Sequence, residues 1–295
     1  MKGLISIGSL GRDDLEALIR RSIEFRSRLD AHEPDGNELS GRAVANLFFE
    51  PSTRTRLSFH LAARRLGAIV LTYDPATSSS AKGESLRDTV LTVAAVGADV
   101  LVVRHSRNGV PEEIAGWSDR PVVNAGDGIN EHPTQALLDA VTIKKRFGRL
   151  DGLRMAIVGD IAHSRVANSL MKAMPTLGVD LILVGPSDWL PTDTTAPTTD
   201  AIDDVLAGVD VLYLLRVQTE RGGEITERFV SEFGIDRSRA GRLRGEAVVM
   251  HPGPINRGVE ISEDVADGPR SLILEQVANG VPSRMAVLEA ILVPG

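Results

Sequence analysis

Ser52-Thr53-Arg54-Thr55 sets hydroxyls and a guanidinium on consecutive residues, soon after an apolar run and at the opening of a segment with helical period. The first N–H groups of a helix lack intrahelical partners and its dipole favours an anion, so a phosphate could be held there with Arg54 as a bidentate clamp. The same tetrapeptide also reads as an ordinary N-cap beside solvated arginines. His132-Pro133-Thr134-Gln135 opens a second helix, with proline where its missing N–H costs nothing. A histidine at that end is biased toward the neutral imidazole and can donate to a polarised carbonyl oxygen, or simply cap its own helix. Arg104, Arg165 and Arg216 each follow an apolar run, and Arg216-Val217-Gln218 puts Arg216 and Gln218 on one side of a continuing strand. Arg165, Arg216 and Gln218 could together hold a dicarboxylate; alone, each arginine reads as a surface charge.

These groups need elements that bring them together. Runs rich in β-branched residues at 43–49, 69–73, 100–103, 122–123, 155–158, 181–184, 211–215 and 247–250 predict strands. Helices are expected over 55–66, with Leu57, Leu61 and Leu66 on one apolar face, over 85–96 closed by Gly97, and over 133–147 closed by Gly148. The alternation predicts an α/β fold of two α/β domains, each a mostly parallel sheet flanked by helices. The expected division is 1–135 plus a returning helix at 282–295 for one domain and 136–281 for the other. In parallel sheets ligands bind beyond the carboxyl ends of strands, which is where the polar clusters fall: Ser52–Thr55, Arg104, His132, Asp160 to Arg165, Arg216 with Gln218, and His251-Pro252. A crevice receiving those ends would suit ligands with several negative charges. The small polar segment 77–83 has the composition of a binding loop or of a plain surface connection, and 191–200 reads as a variable surface excursion without hydrophobic period.

Bulk properties narrow the chemistry further. With 295 residues, of which 42% are hydrophobic, the chain can bury two cores, and its net charge of −7 argues against a surface made to coat nucleic acid or an anionic membrane. There is no cysteine, which removes thiolate nucleophiles, disulfides and cysteine-ligated metals. No metal and no cofactor are expected: the 6 histidines suggest no ligand cluster, and the Gly159-Asp160 turn lacks the later glycines of a dinucleotide fingerprint. No run approaches the length of a bilayer span, and the N-terminus does not resemble a signal peptide, so a soluble, cytoplasmic protein is expected.

Phe48-Phe49-Glu50-Pro51-Ser52-Thr53-Arg54-Thr55-Arg56 and His132-Pro133-Thr134-Gln135-Ala136-Leu137-Leu138-Asp139 resemble the two signatures of the aspartate and ornithine carbamoyltransferases. Ala81-Lys82-Gly83-Glu84-Ser85, Arg216-Val217-Gln218 and Met250-His251-Pro252-Gly253-Pro254-Ile255-Asn256-Arg257-Gly258 are similar to the aspartate branch, and the cysteine of the ornithine branch's His-Cys-Leu-Pro segment is missing. The likeness runs from about 39 to 292. It implies transfer of the carbamoyl group of carbamoyl phosphate to L-aspartate, within pyrimidine biosynthesis. It further implies that Ser52, Thr53, Arg54 and Thr55 bind the phosphate, that Arg104 bridges phosphate and carbonyl oxygen, and that His132 and Thr55 polarise that carbonyl. Gln135 and the backbone of Pro252 and Gly253 would hold the carbamoyl amine, and Arg165, Arg216 and Gln218 the aspartate carboxylates. Ser78 and Lys82 match residues that reach a neighbouring subunit's site, implying a homotrimer with shared sites, and Arg284 matches an arginine near the phosphate region. A regulatory chain or a dihydroorotase is admitted as a further partner. Ala81 departs from relatives that carry a second lysine there, and 191–200 has no counterpart in the pattern. The competing readings are another amino acceptor such as ornithine, a scaffold subunit without turnover, and a dehydrogenase.

Overall fold

The computed structural model describes residues 1–75, 78, 83–217 and 227–293. The chain forms two compact units, Met1–Val141 with Val277–Gly295, and Thr142–Gln276. The first unit contains α1 (Arg12–Asp30), β1 (Ala43–Phe48), α2 (Thr53–Arg65), β2 (Ile69–Tyr73), α3 (Leu86–Val96), β3 (Val100–His105), α4 (Val110–Trp117), β4 (Val122–Asp127) and the start of α5 (Pro133–Phe147). Its strands are all parallel, in the order β2-β1-β3-β4. The chain therefore leaves β1 toward one edge and returns to β1's other side at β3, which makes the β1/β3 ends the switch point of the sheet. Ala45, Leu47, Leu101, Val103 and Val122 pack against Val90, Val110 and Ile114, so helices α3 and α4 cover this face. Helix α3 stops at Gly97, whose φ of 116° lies where a side chain would be strained.

The second unit holds β5 (Arg154–Val158), α6 (Arg165–Thr176), β6 (Asp180–Val184), β7 (Thr198–Thr199), β8 (Val211–Leu214), α7 (Glu227–Phe233), α8 (Arg237–Gly241), β9 (Val248–Met250), α9 (Glu263–Ala266) and the start of α10 (Ile273–Leu292). Its parallel sheet has the order β7-β6-β5-β8-β9, with the reversal at β5/β8. Ala156, Val158, Leu212 and Leu214 pack with Phe229, Phe233 and Ile261 in the core. The chain crosses from one unit to the other within α5 and again within α10.

Several elements differ from expectation. Helix α2 begins at Thr53 rather than 55, and Leu57 and Leu61 are 60% and 44% exposed. Its buried face is Thr55, Phe59, Ala62 and Ala63, whose small residues allow a close approach that bulkier leucines would prevent. Strand β4 runs on to Asp127 because the Asn124 side chain donates to Ile5 O and to Asp127 Oδ1, supplying bonds that intrinsic strand propensity does not. The segment 191–200 is not wholly irregular: Thr198 and Thr199 pair in parallel with Leu183 and Val184. Helix α10 starts at Ile273 and passes through Pro282, where the lost N–H bond is outweighed by burial of every residue from 282 to 288.

Candidate active site

In the first unit, Ser52 caps α2 from an extended conformation, its Oγ accepting the Thr55 N–H at 3.3 Å. That leaves the remaining first-turn N–H groups without intrahelical partners, beyond the end of β1. Arg54 follows at once; the residue is partly exposed, and burial of the rest draws its guanidinium below the ordinary pKa. Thr55 is buried, with Oγ1 3.5 Å from His132 Nε2, so the N-termini of α2 and α5 meet through a hydroxyl and an imidazole.

Arg104, near the end of β3, is 7% exposed; it donates to Ala125 O at 3.2 Å and to Glu50 Oε1 at 3.1 Å. A guanidinium so placed is one strand away from the α2 N-terminus, because β1 and β3 are neighbours. Gln135 donates to Asp139 Oδ1 at 3.1 Å, one helical turn further along α5. Arg284 is 3% exposed, donates to Gly280 O at 3.1 Å and stacks 4.9 Å from the Phe59 ring centroid. Burial, with nearby Arg104, pushes its guanidinium down to about 9, against the opposing pull of Asp139, so it keeps its charge at neutral pH. His132 itself is held from behind: its neighbour Glu131 accepts from Ser6 Oγ at 2.6 Å and from Ile7 N at 3.0 Å.

Ser52, Thr53, Arg54, Thr55, Arg104, His132, Gln135 and Arg284 thus gather around the β1/β3 end of one sheet. Ser78 stands beyond β2 instead, donating to Tyr73 Oη at 2.8 Å and to Pro75 O at 3.1 Å. Lys82 lies outside the described residues.

In the second unit, Arg165 is the first residue of α6 and is 7% exposed, behind a cap in which Ser164 Oγ accepts the Ala167 N–H at 3.2 Å. Before it, the fully buried Asp160 places Oδ1 2.7 Å from His163 Nδ1. Arg216 follows β8, the neighbour of β5, so both arginines belong to the β5/β8 switch point. Pro252 and Gly253 follow β9, the next strand, and both are half-buried. Gln218 lies outside the described residues. Glu50 and Asp139 make polar contacts to candidate groups that neither residue type announces. Their signal was positional: Glu50 lies just before the Ser52 cluster and Asp139 stands four places after Gln135 on one helix face.

The first unit therefore brings hydroxyls, an imidazole and guanidinium groups to the N-termini of α2 and α5, and the second brings two arginines to the β5/β8 end of its sheet. Among the described residues, no group of three or more His, Cys, Asp or Glu is arranged to hold a metal ion.

Residues 2–145 match the family model described as Aspartate/ornithine carbamoyltransferase, carbamoyl-P binding domain. Residues 151–291 match the one described as Aspartate/ornithine carbamoyltransferase, Asp/Orn binding domain. The aspartate carbamoyltransferase catalytic subunit of Salinispora tropica is 53% identical over 264 residues, covering 86% of this chain and 86% of the relative. That of Acidothermus cellulolyticus is 47% identical over 299 residues, covering 99% and 93%. Among solved structures, Trypanosoma cruzi aspartate transcarbamoylase in complex with aspartate and phosphate aligns with a TM-score of 0.90 and 35% identity, covering 99% of this chain and 96% of that one. The same enzyme with N-(phosphonacetyl)-L-aspartic acid gives 0.90 and 35%, covering 99% and 95%.

Proposed function

The chain belongs to the aspartate/ornithine carbamoyltransferase family, and from that premise we infer that it transfers the carbamoyl group of carbamoyl phosphate to the amino group of L-aspartate, giving N-carbamoyl-L-aspartate and phosphate. The observation that carries this reading is the meeting of Thr55 and His132 across 3.5 Å at two helix N-termini, next to a capped but otherwise open anion site.

Ser52, Thr53, Arg54 and Thr55 hold the phosphate, with Arg104 bridging it to the carbonyl oxygen and Arg284 adding buried positive charge behind it. To take that role Arg104 exchanges some of its bond to Glu50 for the phosphate, a charge-assisted contact of equal kind. Gln135 and the main chain at Pro252 and Gly253 receive the carbamoyl amine. Arg165, Arg216 and Gln218 hold the carboxylates of aspartate. The neutral amine of aspartate attacks the carbamoyl carbon, a C–N bond forms, and charge gathers on the carbonyl oxygen. Thr55, Arg104 and His132 stabilise it. The C–O bond to phosphate then breaks, and the leaving phosphate can take the proton released by the amine. Holding both substrates in order supplies the rest of the acceleration, since the arginines offset the repulsion between two anions.

Ser78 and Lys82 serve a neighbouring subunit in a homotrimer. The support for an assembly is apolar surface on the first unit, where Leu57, Leu61, Ile69, Leu91 and Val96 are exposed. The product enters pyrimidine biosynthesis, and the reaction takes place in the cytoplasm; among the described residues no helix is long and apolar enough to cross a membrane.

The test is the initial rate of phosphate release from carbamoyl phosphate with L-aspartate, with L-ornithine and without acceptor. Aspartate-dependent release with N-carbamoyl-L-aspartate as product is expected. Release only with ornithine would overturn the acceptor, and no acceptor-dependent release would overturn the enzymatic reading.

A further inference from the structure

Strand β9 ends at Met250, and the loop that follows it is riveted from inside by polar groups in the interior. His251 is 1% exposed and Glu260 2% exposed. His251 Nδ1 accepts the Gly253 N–H at 2.8 Å, and Nε2 lies 3.2 Å from Glu260 Oε1. The same carboxylate oxygen accepts the Asn256 N–H at 2.5 Å, while the His251 N–H donates to Gln276 Oε1 at 2.9 Å. Gly253 adopts a φ of 66° as it makes its bond back to the imidazole, a conformation that glycine enters without strain. An imidazole whose Nδ1 accepts a hydrogen bond carries its proton on Nε2, where it faces the carboxylate. The neighbours therefore select one neutral tautomer.

We propose that His251, oriented by Glu260, is a positioning residue that fixes the main chain at Pro252 and Gly253 for the carbamoyl amine. The inference rests on the reading above, in which those two residues receive that amine. Recognition by main chain leaves no rotamer to adjust, so its accuracy depends on what holds the loop. Here the hold consists of two backbone N–H groups, Gly253 and Asn256, tied to one buried imidazole–carboxylate pair. Inorganic phosphate has no carbamoyl group, so its binding does not draw on this loop.

The experiment compares His251→Phe with His251→Asn in the full chain. Phenylalanine fills the space of the ring without an acceptor; asparagine restores an oxygen near the Nδ1 position. His251→Phe is expected to raise KM for carbamoyl phosphate about tenfold, the effect of one lost hydrogen bond. The inhibition constant of inorganic phosphate should stay near the wild-type value, and His251→Asn should regain most of the lost affinity. Equal rises in both constants, or identical behaviour of the two variants, would overturn the proposal. Should His251→Phe not fold, the 15N spectrum of the wild-type imidazole decides: a proton on Nε2 alone is expected, and a proton on Nδ1 overturns it. If wild-type protein releases no phosphate with aspartate, the underlying reaction assignment fails instead, a result separable from the imidazole spectrum.

Discussion

His132 is the residue on which the chemistry can be tested most directly. It is 5% exposed, stands just before α5 and reaches Thr55 Oγ1, so its removal takes away the proposed oxyanion donor while leaving the helix cap at Ser52 in place. His132→Ala should lower kcat about a hundredfold or more. A rate within a few-fold of wild type, measured at saturating substrates, would remove the assigned role. The placement of Ser52, His132 and Arg165 after strands, and of Arg104 near the end of β3, was legible because the apolar strands that precede them are. What stayed hidden were the partners. Arg104 rests on Glu50, and Gln135 on Asp139, pairings that arise when side chains meet in space and that neither residue type announces.

At the scale of elements, the buried parallel strands were the most readable parts, since β1, β3, β5 and β8 are mostly apolar and rich in Val, Ile and Leu. The face of α2 was misread for a physical reason: Leu57 and Leu61 have the period of a core stripe, but tight packing goes to Phe59, Ala62 and Ala63. Long helices were missed where charges dilute the period, as in α1 with its many arginines and acids. Those charges work elsewhere as ties between short elements. Asp203, in the connection before β8, receives Arg239 Nε at 3.2 Å and Arg242 Nη1 at 2.6 Å from α8 and its cap. The hydrogen bond from Arg239 leads in holding its carboxyl below the ordinary value of 3.8, against an opposing desolvation cost, with the charges of Arg239 and Arg242 adding to it. A carboxyl depressed in the folded state stabilises above its unfolded pKa, and that contribution disappears as pH falls through the folded value. Asp203→Asn should therefore lower the urea midpoint modestly at pH 7 and by less at about pH 3, below the carboxyl's unfolded value, with added salt shrinking the gap because the pair is solvent-screened. A gap of equal size at both pH values would mean that the charge is irrelevant to the tie.

For the whole molecule, the two parallel α/β units agree with the alternation read from the sequence, whereas assembly had no legible signal apart from the family likeness. Leu57 and Leu61 on α2 and Ile69 on the edge strand β2 are exposed apolar residues of the kind that the proposed homotrimer would cover. If sites are shared, Arg54→Ala chains mixed with Lys82→Ala chains after mild dissociation should regain activity that neither has alone, because some sites then receive both intact groups. Sedimentation should report three chains per particle; monomers, or mixtures without regained activity, would sink the shared-site reading. The first unit is also built from both ends of the chain: the Met1 amine donates to Ala290 O at 2.9 Å, and Arg21 Nε to Glu289 at 2.7 Å. During synthesis the sheet of β1 to β4 emerges before the second unit, yet the helical segment that completes its unit emerges after the second unit. Every part of the second unit is already outside by then, so a ribosome that begins the first unit earlier must finish it later.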